Sequence, residues 1–168
     1  MTVLWSDDTW QVIDESVALP DGRIKTSIRV KRPDSVHILA FPAPGKILIL
    51  REYRPYYQQY LWMIPSGKVD KENDITIAAQ RELQEETGYK AQSLQHYCTV
   101  QNTESIVYEN HVFIASKLVE SRLPQDADEE IEVHELSLEE ALNNVLTSPV
   151  VHTVSAFALL RYMKEQVQ

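Results

Sequence analysis

Three glutamates and an arginine fall within six positions, Arg81, Glu82, Glu85 and Glu86 of the stretch RELQEETGY. On a helix the spacing i, i+3, i+4 makes the three carboxylates neighbours on one face. Like charges so placed repel by a few tenths of a kcal/mol per pair, so a purely structural helix gains nothing from them. A solvated acidic face is the plain alternative for such a cluster. The same face extended backwards, however, carries Ile75, Ala78 and Ala79. An apolar, small-residue start predicts a packed helix that carries its carboxylates toward the interior edge of the protein. Carboxylates held there need counter-charge, from Arg81 or from bound cations. A cluster of oxygen ligands suits Mg²⁺ or Mn²⁺ rather than zinc. The five histidines, at 37, 96, 111, 134 and 152, show no zinc spacing and read as ordinary surface or core residues.

The helix that must position these groups is predicted over Asp74 to Thr87, capped by Asn73 or Asp74 and closed by Gly88. Strands surround it. Pro20-Asp21-Gly22 is a turn between two extended runs. In the second run Arg23, Lys25, Arg29 and Lys31 alternate with Ile24, Thr26, Ile28 and Val30, placing basic side chains on one face and the others opposite. SVHILAF and KILILREY read as a strand pair joined through Pro42-Ala43-Pro44-Gly45, and YLWMIP is a short strand stopped by Pro65. Further strands are predicted at Gln92–Val100, His111–Lys117 and IEVHEL, the last after the acidic loop LPQDADEE. Ser137-Leu138-Glu139-Glu140 opens a helix with a capping box, and a last helix covers Thr153 to Glu165. The pattern is a mixed α/β layered domain, a single one over residues 1–168, with Trp62 in its core.

Composition bounds the partners. The chain has 168 residues, 25 acidic against 16 basic, and a formal net charge of −9. That balance argues against a coat for nucleic acid or for an anionic membrane surface. No window approaches the ~18 apolar residues of a membrane span, and no signal peptide is visible. Cys98 is the single cysteine, read as buried packing in a reducing, cytoplasmic compartment.

The chemistry-bearing residues also carry a family resemblance. GKVDKENDITIAAQRELQEETGY resembles the Nudix box, G-x5-E-x7-R-E-U-x-E-E-x-G-U with U a bulky apolar residue. Gly67, Arg81-Glu82-Leu83, Glu85-Glu86, Gly88 and Tyr89 fit it. One position departs: Asn73 stands where the box has its first glutamate, with Glu72 just before it. The flanking segments LREYRPYYQQYLWMIPSGKVD and DADEEIEVHELSLEEAL are similar to ADP-ribose pyrophosphatase-type members, so the likeness covers nearly the whole chain. It implies an α/β/α sandwich with a mixed sheet, plus N-terminal antiparallel strands over about residues 1–35 that pair two copies into a homodimer.

The resemblance also implies a reaction, hydrolysis of the diphosphate linkage of a nucleoside diphosphate derivative such as ADP-ribose or a nucleotide sugar. Mg²⁺ or Mn²⁺ would be held by Glu82, Glu85, Glu86 and the backbone carbonyl of Ser66, with Arg81 orienting the glutamates. Gly67 lets its loop pass close to the metal and substrate. The implied general base is Glu129, with Glu130, Asp128 and Asp126 behind it. Arg54 matches a position that contacts phosphate or ribose, Glu52 one near the base. Arg29, Lys31 and Arg32 are expected to reach the substrate from a second subunit. A non-catalytic sensor on the same fold, or a hydrolase of dinucleoside polyphosphates or oxidised nucleotides, remains open.

Overall fold

The computed structural model describes residues 1–101, 103–126 and 129–166. Eleven strands and three helices are assigned among them: β1 (Thr2–Ser6), β2 (Gln11–Ala18), β3 (Ile24–Lys31), β4 (Ser35–Ala40), β5 (Lys46–Arg54), β6 (Gln59–Met63) and β7 (Ser66–Lys68); then α1 (Ile75–Thr87), β8 (Tyr89–Val100), β9 (Ile106–Val107), β10 (Asn110–Glu120), β11 (Ile131–Ser137), α2 (Leu138–Leu146) and α3 (Thr153–Gln166).

The layers follow from two apolar runs. Strands buried on both faces read as continuous hydrophobic sequence rather than as alternation, and every residue of β4 is buried. Val36, Ile38 and Ala40 of β4 pack with Leu48, Ala78, Ala79, Leu83 and Phe113 on the α1 side. Leu39, Ile47 and Ile49 belong to the opposite cluster, with Ala141 and Val145 of α2 and Ala158 and Leu159 of α3. The strands therefore lie between α1 and the α2–α3 pair. Each fully buried Leu or Ile contributes about 1.5–3 kcal/mol. The expected α/β/α sandwich is present.

Two sheets form the middle layer, β7-β4-β10-β8 and β11-β5-β6. The first is mixed, because β10 runs parallel to β4 while its other neighbours are antiparallel. A third sheet, β1-β2-β3-β9, holds the N-terminal strands. SVHILAF and KILILREY are both strands, as expected, but they do not pair with each other. Both edges of β4 are taken by β7 and β10, and both edges of β5 by β6 and β11, which puts the two runs in different sheets. The alternation of β3 also lacks a buried apolar face within the chain, since Ile24 is 65% and Ile28 59% exposed.

Helix ends follow their residues. Asp74 rather than Asn73 caps α1, its carboxylate accepting from the N–H groups of Thr76 and Ile77, a contact worth about 1 kcal/mol. Gly88 closes the helix at φ 80°, the left-handed region open to glycine. Ser137 and Glu140 form the capping box of α2. Cys98 is buried in the α2–α3 cluster, and Trp62 packs against that cluster half-buried, its ring 4.9 Å from that of His134.

Candidate active site

The α1 carboxylates sit where the packed start of the helix sends them. Ala78, Ala79 and Leu83 are fully buried, and the same face continues into Glu82 and Glu86, which are only 9% and 3% exposed. Antiparallel pairing of Gly67 with Val36 brings β7 alongside. Two different devices then hold the acids. Arg81 Nη1 donates to Glu82 Oε1 at 2.8 Å and to Glu85 Oε2 at 2.7 Å. Its Nη2 donates to the Lys68 carbonyl at 3.1 Å, and Glu72 binds the same guanidinium. Glu86 instead accepts from the Ser66 N–H at 2.8 Å. Arg81 thus touches the glutamates it is expected to orient, and Glu72, just before Asn73, reaches the same guanidinium.

Gly67 has a steric reason to be glycine. A Cβ there would stand 2.0–2.4 Å from the Glu82 carboxylate atoms. Any side chain at 67 would displace that carboxylate.

The cluster is short of positive charge. Burial pushes the Glu82 carboxyl up to about 7, Arg81 opposing this and Glu85 and Glu129 adding to it. Glu86 is pushed well above the carboxylate range, first by burial and then by Glu82, with the Ser66 N–H only partly offsetting this and Glu129 and Glu52 adding to it. Burial works against the Arg81 charge, but Glu72, Glu82 and Glu85 outweigh it and raise its pKa. Buried carboxylates that one arginine cannot neutralise, with oxygen donors alone, fit a hard divalent cation.

Beside them opens a cleft of about 460 Å³. Ser66, Gly67 and a single carboxylate, Glu129, are part of its lining, Arg32, Arg54 and Lys68 supply cations, and His37, Asn110 and His152 contribute neutral polar groups. Arg54 pairs with Glu52 at 2.9 Å and touches Met63 Sδ at 3.1 Å. Glu52 is 3% exposed and does not line the cleft, so it stands behind Arg54 rather than out where a base would lie. Burial raises its carboxyl to about 7, against the pull of Arg54 and with Glu129 adding to the rise.

Of the basic residues expected to reach over from a second subunit, Arg32 lines this chain's own cleft. Its guanidinium lies 3.8 Å from the Tyr108 ring centroid, and Nη2 donates to Ser35 Oγ at 2.7 Å. Arg29 does not join it. Arg29 binds Glu15 and donates to the Glu104 carbonyl at 2.7 Å, in a separate groove on the N-terminal sheet. Lys31 is exposed and outside the cleft lining.

Among the acidic-loop residues, Glu129 alone of the described ones lines the cleft. Its N–H donates to the Asp126 carbonyl at 3.2 Å, and its carbonyl accepts from Gln125 Nε2 at 3.1 Å. Glu130 is held away by the Tyr60 hydroxyl, and its carbonyl accepts from the Tyr53 N–H at 3.0 Å. Asp126 pairs with Lys71 at 3.6 Å. Asp128 lies outside the described residues.

These neutral polar groups were missed from sequence. Burial lowers His37 to about 3 and His152 to about 4, so both are uncharged at neutral pH. His37 Nε2 is 3.0 Å from Asn110 Oδ1, and His152 Nδ1 is 2.6 Å from Ser155 Oγ. The one available signal was a histidine interrupting the apolar run SVHILA.

A family model for the NUDIX domain matches residues 31–154. The chain belongs to the Nudix family. It is 35% identical over 165 residues to the ADP-ribose pyrophosphatase of Bacillus subtilis (strain 168), covering 94% of this chain and 89% of that protein. It is 28% identical over 155 residues to the methanol dehydrogenase activator of Bacillus methanolicus, covering 90% and 83%. An ADP-ribose pyrophosphatase of Mycobacterium tuberculosis (strain ATCC 25618 / H37Rv) is 28% identical over 150 residues, covering 87% and 72%. Among solved structures, the crystal structure of an ADP compounds hydrolase superposes with a TM-score of 0.75 at 22% identity, covering 98% of this chain and 92% of that one, a likeness of fold. This Nudix hydrolase thus keeps the box arginine and its glutamates on α1, facing β7.

Proposed function

We propose that this Nudix hydrolase cleaves the diphosphate linkage of a nucleoside diphosphate derivative of the ADP-ribose or nucleotide-sugar class. The products are a nucleoside monophosphate and a phosphorylated second moiety. One observation carries the reading: buried Glu82 and Glu86, cradled by Gly67 and left short of positive charge, lie beside a cleft that also presents Arg32, Arg54 and Lys68. The 35% identity to an ADP-ribose pyrophosphatase supports the substrate class.

Glu82, Glu85 and Glu86, with the Ser66 carbonyl, would hold Mg²⁺ or Mn²⁺. Such an ion, when bound, neutralises phosphate oxygens and lowers the pKa of a water. The chain's own groups do the rest. Arg54, steadied by Glu52, and Lys68 attract the diphosphate oxygens; Arg32, braced on Tyr108, takes the far end of the substrate. Arg81 keeps Glu82 and Glu85 from splaying apart. Glu129 accepts the proton of the attacking water as its oxygen bonds to phosphorus, while the bridging P–O bond breaks and its electrons leave with the departing phosphate. The neutral imidazoles of His37 and His152 add no charge to the cleft lining.

The whole chain acts as one Nudix domain in this reading, with residues 1–35 as its pairing region. Val3, Leu4, Trp5, Ile24 and Ile28 of the N-terminal sheet are exposed, which supports a homodimer. A buried, unpaired Cys98 supports a cytoplasmic setting. The test is a panel of nucleoside diphosphate derivatives incubated with Mg²⁺ or Mn²⁺, with products identified by ³¹P NMR. ADP-ribose should give AMP and ribose 5-phosphate. Failure to cleave any member with either ion would overturn the proposal.

A further inference from the structure

A second constellation stands apart from α1. His111, on β10, directs Nε2 between two carboxylates, 3.6 Å from Asp34 Oδ2 and 3.8 Å from Glu109 Oε2. The three ligand atoms lie within 4.8 Å of one another. Neither contact is a hydrogen bond, since N–H···O pairs close to about 2.7–3.2 Å. Two ligands sharing one first-row ion at bonds of roughly 2.0–2.2 Å stand about 3.0–3.6 Å apart. The observed 3.6 and 3.8 Å are wide for hydrogen bonding and lie at and just beyond the upper end of that range, so a shared ion would draw the three groups slightly together.

The surroundings point the same way. His111 is 7% exposed, and its Nε2 meets Asp34 and Glu109 at ion-pair rather than hydrogen-bond distance. Its other ring nitrogen, Nδ1, is 3.1 Å from Thr99 Oγ1, which also meets His96 Nε2 at 3.1 Å. Metal-bound histidines are oriented through the second nitrogen in this way. Asp34 Oδ1 accepts from the Glu109 N–H at 2.7 Å, which draws both carboxylates to one place and leaves Oδ2 toward the histidine. Among the described residues no Lys or Arg pairs with either acid. The nearest arginine in sequence, Arg32, is turned to Tyr108 and Ser35 instead.

We infer that Asp34, Glu109 and His111 form a second metal site, for a divalent first-row transition ion, distinct from the α1 carboxylates. One imidazole with two carboxylates suits ions such as Mn²⁺, Fe²⁺ or Zn²⁺ over Mg²⁺. The site has a structural consequence for the cleft. Glu109 lies between Tyr108 and Asn110, both of which line it, so an ion drawing Glu109 onto Asp34 and His111 ties down that edge.

The two sites differ by one atom type, because the ligands assigned on α1 are all oxygens. Electron spin-echo modulation of Mn²⁺ added to the full-length protein therefore separates them. Wild type and Glu86→Gln should both show imidazole nitrogen coupling. His111→Gln should lose it and bind one fewer ion. Asp34→Asn, a change at a half-exposed carboxylate that keeps Oδ1 as an acceptor, should retain the native circular dichroism and weaken the nitrogen-coupled ion at least tenfold. Absence of nitrogen coupling in wild type, its survival in His111→Gln, or unchanged affinity in folded Asp34→Asn would each overturn the inference. None of these readouts depends on turnover.

Discussion

The acids of α1, beside the cleft, and Glu129, which lines it, are held differently. On α1 each carboxylate has a rigid partner: Arg81 clamps Glu82 and Glu85, and the Ser66 N–H binds Glu86. Past the start of the acidic loop, Gln125 donates to the Glu129 carbonyl and Tyr53 to the Glu130 carbonyl, while the Asp126 and Glu130 carboxylates are engaged by Lys71 and Tyr60. A cluster that must hold an ion needs carboxylates fixed before the ion arrives. A base needs to approach only when substrate is present. Rigid acids as ligands and a loop acid as base is the division of labour this contrast implies.

The largest effect should come from breaking the rigid side. Glu86→Gln removes a buried anionic oxygen, and kcat should fall by at least ~10⁴, several kcal/mol of transition-state stabilisation, while far-UV circular dichroism stays native. Retention of near wild-type turnover at saturating Mg²⁺ would mean that α1 is not the metal site.

Breaking the loop side should cost less. Glu129→Gln should lower kcat by between about 10² and 10⁴, the usual worth of a general base, with substrate Kd near wild type. Its neighbour sharpens the contrast. Glu130→Gln should change kcat by less than about threefold, because Glu130 is engaged with Tyr60 away from the cleft lining; if the two variants exchange behaviour in steady-state assays, Glu130 is the base.

The smallest effect is on stability. Glu52 and Glu82 are raised to about 7 by burial, and burial with the neighbouring Glu82 raises Glu86 as well. The folded protein then holds protons that the unfolded chain has released above its ordinary carboxylate pKa. That contribution is fully present below the unfolded pKa, near 4.5, and is lost as pH rises through about 7. Metal-free protein should therefore melt lower at pH 8 than at pH 5.5, by a few degrees, and Mg²⁺ should restore Tm at pH 8. A Tm that rises with pH in EDTA would show that the buried acids are already neutralised by the chain.

The same contrast explains what could be read from sequence. The α1 face was legible because helical period and charge coincide: Ala78, Ala79 and Leu83 bury one end, so Glu82 and Glu86 are carried inward. A mixed α/β layered domain was legible too, from two apolar runs and three helices, two of them with caps readable in the sequence, and the α/β/α order followed from the family resemblance. Pairing was not. The runs at 35–40 and 46–54 are each long enough to pair with any strand, and only the three-dimensional competition for their edges separates them. Gly67 was recognised by position, but its cause, the Glu82 carboxylate occupying the space of a Cβ, is a contact across fifteen residues. In sequence His37 and His152 look ordinary, because what joins them is a shared cleft lining, 115 positions apart in the chain. Asp34, Glu109 and His111 meet only because β10 runs parallel beside β4.

The central claim is that α1 holds the ion and the acidic segment does not. The most direct measurement is the Mg²⁺ concentration that half-activates ADP-ribose hydrolysis, compared between wild type, Glu129→Gln and Glu86→Gln. Glu129→Gln should half-activate at the wild-type concentration despite its slow turnover, whereas Glu86→Gln should need at least tenfold more Mg²⁺ for whatever turnover remains. Wild-type Mg²⁺ dependence in Glu86→Gln, or a shifted dependence in Glu129→Gln, would contradict the account and move the metal to the other side of the cleft.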